Sequence, residues 1–102
     1  MSLLHTVSKS PFERQTLDSC LKLAKPGSTV LLYEDGVIGA MQGTAIASRI
    51  AEAAKSLKMC VLGPDLAARG FDASKVVAGV TVVDYAGFVD LAEKASAVQA
   101  WC

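Results

Sequence analysis

The sequence is defined first by what it lacks. Ten basic residues balance ten acidic ones, so there is no net charge. The long-range field that draws nucleic-acid phosphate or an anionic membrane to a protein is therefore missing. No apolar run approaches the roughly 20 residues needed to cross a bilayer; Thr29-Val30-Leu31-Leu32-Tyr33 is typical of those present. The N-terminus shows no basic segment leading into an apolar stretch and a cleavage site, so a cytoplasmic location is the expectation. Cysteine is scarce and odd in number. Cys20, Cys60 and Cys102 have neither C-x-x-C nor C-x-x-H spacing, which argues against a disulfide framework and a zinc site and for free thiols. Histidine occurs once, at His5. Without companion ligands or a triad partner it reads as a structural, hydrogen-bonded residue rather than a base or metal ligand.

What is present is a chain of 102 residues, 52% apolar and only 6% aromatic. That length suits one domain, residues 1–102, with one modest core. Leu3–Val7 reads as a first strand. Ser10-Pro11-Phe12-Glu13 carries a capping-box pattern with proline at the first helical position, predicting a helix from there to about Ala24. Thr29–Glu34 predicts a second strand buried on both faces. Glycines at 36, 39 and 43 then break the chain before a helix over Ala45–Leu57. Met59–Leu62 and Val80–Val83 predict strands three and four, with short helical turns at Asp65–Arg69 and Asp72–Lys75 between them. Asp84 is placed to cap a last helix, and Ala97–Trp101 suits a fifth strand or a docking tail. Alternating strands and helices imply an α/β fold with a mostly parallel sheet, and chemistry in such sheets gathers beyond the carboxyl ends of the strands.

Few residues stand out as chemical. The Asp35–Gly43 loop lacks both G-x-G-x-x-G spacing and a Gly-Lys-Ser/Thr ending, so its glycines read as turn and packing residues, and nucleotide binding is the weakest alternative. Cys60 sits within a strand and reads as buried, while Cys102 reads as exposed. Cys20 lies on a predicted helix arc with Phe12, Thr16, Leu17, Leu21, Leu23 and Ala24. No lysine or arginine three or four residues away favours its thiolate, so helix geometry alone makes it a core cysteine.

Several blocks in order resemble the DsrH/TusB family: Leu4-His5-Thr6-Val7 with Lys9-Ser10-Pro11-Phe12, Leu31 to Val37, Val61 to Gly70, Val83 to Val89, and Val98 to Trp101. The sequence looks closest to DsrH. That resemblance implies a DsrE-like three-layer α/β/α fold with a five-stranded parallel sheet. It implies a sulfurtransferase role as a subunit of a cytoplasmic DsrEFH-type heterohexamer with DsrE-like and DsrF-like partners. There persulfide sulfur moves between cysteines toward DsrC-type and TusA-type carriers in sulfur oxidation, without metal or organic cofactor, membrane or direct nucleic-acid contact. The related TusBCD complex serves tRNA thiolation. The resemblance also makes Cys20 the candidate sulfur-carrying residue, with a cation or pocket from another segment or subunit expected to activate it. Against this stands a purely structural, docking role, since TusB-type members can lack the cysteine.

Overall fold

A computed structural model describes residues 3–12 and 15–101. Five strands, β1 (Leu3–Val7), β2 (Thr29–Leu32), β3 (Lys58–Leu62), β4 (Thr81–Val83) and β5 (Ala97–Trp101), form one sheet in the order β4-β3-β2-β1-β5. Every neighbouring pair is parallel, with His5 opposite Val30 on one side and Gln99 on the other.

Parallel strands need crossovers that cover the sheet. Here α1 (Thr16–Leu23), α2 (Ala47–Ala53) and α3 (Gly63–Ala68) carry the chain stepwise from β1 to β4, and α4 (Tyr85–Lys94) returns it to β5 beyond β1. Side chains that alternate along the strands sort into two cores. Val7, Val30, Leu32, Met59 and Val61 pack with Leu17, Cys20, Ile50 and Leu66 of the first three helices. Leu4, Leu31 and Cys60 face the other way, against Phe88, Leu91 and Ala92 of α4. The three-layer α/β/α fold expected from the sequence is thus formed. The central strand β2 has Val30, Leu31 and Leu32 all fully buried, as its unbroken apolar run requires.

Local boundaries depart from expectation in three places. Ser10 does accept a hydrogen bond from a backbone N–H, that of Phe12 at 3.2 Å, but it caps only a turn. The helix proper begins at Thr16, and Gln15 before it provides no side-chain cap. The Glu13 arm of the expected capping box lies outside the described residues. Phe12 is consequently off the helix and 57% exposed, and Leu23 is 69% exposed. The buried arc centres on Leu17, Cys20, Leu21 and Ala24, which leaves Leu23 about 110° away at 100° per residue.

The second departure is at the end of β2. Glu34 does not extend the strand; it takes a left-handed φ of 49° and opens a 3-10 helix over Glu34–Ala40 where a glycine loop was expected. The cause is a close approach. The Tyr33 N–H donates to the Val7 carbonyl at 3.1 Å and the Gly36 N–H to the Ser8 carbonyl at 3.1 Å, folding this segment over the end of β1. A Cβ on Gly36 would stand 2.3 Å from the Val7 carbonyl oxygen, so only glycine fits. Third, α2 is shorter than its apolar pattern, although Leu57 beyond it is still buried and its N–H donates to Ala53 at 2.8 Å.

Because the obstruction at Gly36 is backbone, Gly36→Ala forces the 3-10 segment off β1. We expect a loss of about 3 kcal/mol, at the upper end of overpacking costs, read as a lower urea midpoint with an unchanged m-value.

Candidate functional site

Cys20 is placed by α1 on the face that meets the sheet, because Leu17, one turn earlier, and Ala24, one turn later, press into the same core. Its relative exposure is 0%. Burial pushes its thiol up to about 12, and no charge opposes that shift. The described cations of α1 and α2 are committed elsewhere: Lys22 reaches Asp18 at 3.3 Å, and Arg49 of α2 also pairs with Asp18. The last turn of α1 adds partial negative charge, which disfavours a thiolate further. The activating group expected from another segment of the chain is therefore not found among the described residues. Cys60 lies on the opposite face of the sheet, also fully buried and raised by burial, only partly offset by Lys58. Cys102 lies outside the described residues. The structure thus brings Cys20 and Cys60 onto two sides of one sheet and makes no pair of them.

The carboxyl ends of the strands are more open. A cleft of about 460 Å³ is lined by Gly63 and Pro64 after β3, Val82 and Val83 of β4, and Asp84 and Gly87 at the start of α4. Asp84 is the cap it was expected to be, accepting from the Gly87 N–H at 2.7 Å. A second groove, about 350 Å³, runs between α1 and α2 past Leu21, Lys22, Arg49, Glu52, Ala53 and Ser56. Cys20 lines neither. The Glu34 N–H donates to Asp65 at 2.6 Å, and Asp35 accepts from the Arg69 Nε at 3.1 Å, which ties the 3-10 segment to α3.

His5 is 2% exposed, and its Nδ1 accepts from the Trp101 indole N–H at 3.1 Å. This agrees with a structural histidine and places Trp101 against the main core. Sequence reasoning missed that pairing, as it missed Asp65 and Arg69, because partners 96, 31 and 34 residues apart leave no local pattern. The glycine-loop reading gains nothing, since Gly36 and Gly39 are buried under β1 and Leu17 rather than lining a cradle. Among the described residues, no group of three His, Cys, Asp or Glu side chains is arranged to hold a metal ion. No helix among them is long and apolar enough to cross a membrane.

Comparison with known proteins places this architecture. The family described as "DsrH like protein" matches residues 9–98. The chain belongs to that family. Among its curated relatives, Protein TusB of Erwinia tasmaniensis is 39% identical over 99 residues, covering 97% of this chain and all of that one. Protein TusB of Pectobacterium parmentieri is 35% identical and that of Escherichia coli O1:K1 32%, with the same coverage. The fold also matches the crystal structure of the ychN protein from E. coli, with a TM-score of 0.82 at 16% identity over 99% of this chain and 100% of that one. A Methanobacterium thermoautotrophicum protein of unknown function, MTH1491, gives a TM-score of 0.74 at 18% identity over 96% and 97%. Family membership thus rests on sequence, and the distant structures support the fold alone.

A thiol at about 12 is almost wholly protonated at pH 8. In the isolated folded chain, Cys20 should be alkylated by iodoacetamide about a thousandfold more slowly than an ordinary free cysteine, because only the thiolate reacts. Peptide mapping after timed quenching at pH 8, with a urea-unfolded control, checks this.

Proposed function

We propose that this DsrH-like chain is a docking subunit of a sulfur-relay complex of the TusB kind, serving tRNA thiolation, with the transfer chemistry carried by a DsrE-like partner. The observation that carries this reading is the state of Cys20: fully buried, raised to about 12, with Lys22 of its own helix and Arg49 of α2 both engaged by Asp18. In persulfide transfer the acceptor thiolate forms a bond to the donor's outer sulfur while the donor's S–S bond breaks and its cysteine leaves as thiolate. Such an acceptor needs both ionisation and a path for a second protein's cysteine. Cys20 has neither in this chain.

The full-length similarity to proteins named TusB favours the thiolation setting over sulfur oxidation. The competing reading, a DsrEFH-type subunit carrying persulfide on Cys20 toward DsrC-type or TusA-type carriers, draws on the position of Cys20 in the first helix. It requires assembly to move α1 or supply a cation. Both readings keep the chain within a hetero-oligomer of related subunits.

The two separate in a reconstituted complex. After incubation with a persulfide donor, intact-peptide mass spectrometry should find added sulfur on the DsrE-like partner and none on Cys20, and Cys20→Ala should sustain transfer within about twofold of wild type, since removing a small buried group costs stability rather than chemistry. Sulfur on Cys20, or a transfer rate that collapses in a folded, assembled Cys20→Ala complex, overturns the docking reading.

A further inference from the structure

The edge strand β5 pairs with β1 along its length but has a single side-chain anchor in the core. Ala97, Val98, Gln99 and Ala100 are exposed, and of its side chains only that of Trp101 reaches the core. Trp101 is held there by its indole N–H, which donates to His5 Nδ1 at 3.1 Å. Since Nδ1 accepts, the neutral imidazole carries its proton on Nε2, an atom that is buried without a hydrogen-bond partner. The ring therefore serves as an acceptor only while it is neutral. A second proton would go onto Nδ1, turn that acceptor into a donor facing the indole N–H, and leave a charge in a site that is 2% exposed.

Among the described residues, no neighbour offsets that charge. Strands β2 and β5, which flank β1, bring Thr29–Leu32 and Ala97–Trp101, with no titratable side chain. Helix α1, packed on the same face of β1 as Trp101, brings Asp18, Cys20 and Lys22. Asp18 is bound to Lys22 and Arg49, Lys22 projects outward at 70% exposure, and Cys20 stays neutral. Helix α4 packs on Leu4 from the opposite face, and its Tyr85, Asp90, Glu93 and Lys94 are all exposed, with Asp90 and Lys94 paired. The 3-10 segment over the end of β1 brings Glu34 and Asp35, both exposed, with Asp35 held by Arg69.

We propose that His5 and Trp101 form a proton-sensitive latch: neutral His5 holds the end of β5 on β1, and protonation of His5 releases Trp101 and the end of the strand with it. Trp101 stands in register with Val7 and packs against the cluster that encloses Val7, Leu17 and Cys20, so release uncovers that flank of the core. The latch does not depend on which subunit carries sulfur. Burial holds the imidazole below its ordinary 6.5. The unfolded chain then takes up a proton that the latched one refuses, so the latch contributes its full stability above 6.5 and loses it as pH falls below that value.

His5 and Trp101 are the only histidine and the only tryptophan in the chain, which makes the test direct. On titrating the full chain from neutral pH downward, tryptophan emission should shift to the red with a midpoint below 6.5 while far-UV circular dichroism is retained. His5→Gln, which offers an acceptor that does not titrate, should remove the shift. In Trp101→Phe, the His5 pKa read by NMR should rise toward 6.5, because the bond that favours the neutral ring is gone; this second variant decides if His5→Gln fails to fold. Emission that stays constant through the His5 titration, an equal shift in His5→Gln, or an unchanged His5 pKa in Trp101→Phe overturns the latch.

Discussion

An all-parallel sheet must be covered on both faces, and most of this structure follows from meeting that demand with about a hundred residues. Among the described residues, three short helices and the 3-10 segment cover one side, and a single ten-residue helix covers the other. The centre of the sheet is sealed, with Leu4, Val30, Leu31, Leu32, Cys60 and Val61 at or near zero exposure. The edges are not. β5 is open along four of its five residues and β4 along two of three. A fold that closes its middle this well has little room there for a reacting group.

The fate of the cysteines follows from that constraint. Cys20 and Cys60 occupy opposite layers, each as a small apolar filler in a packed interior, and desolvation alone moves both thiols away from ionisation. The polar groups that do converge lie at the carboxyl ends of the strands. There Asp65 receives the Glu34 N–H, Asp35 receives Arg69, Asp84 caps α4, and Tyr33 stacks on Phe88 with ring centroids 6.4 Å apart. These contacts fix loops to one another and give that end of the molecule a defined shape.

Much of this was legible in advance. The strand at Leu3–Val7, the cap at Asp84 and the order of elements follow from apolar patterning and capping chemistry, which act over a few residues. The start of α1 was not legible, because Ser10 and Pro11 are equally good at opening a helix and at closing a turn, and here Ser10 closes a turn by accepting from the Phe12 N–H. The 3-10 segment was hidden for a similar reason. Gly36 looks like any loop glycine until the Val7 carbonyl is found where its Cβ would be.

By itself, then, the sequence determined the layer architecture, the family and the apolar character of the helix face bearing Cys20, since periodicity and capping are local properties written in consecutive residues. Only the tertiary structure decided whether that thiol meets solvent or a cation, which carboxylate holds which backbone, and that His5 holds Trp101. Those outcomes depend on groups distant in the chain that share a site only after five strands have taken their register, and desolvation has no meaning until they have.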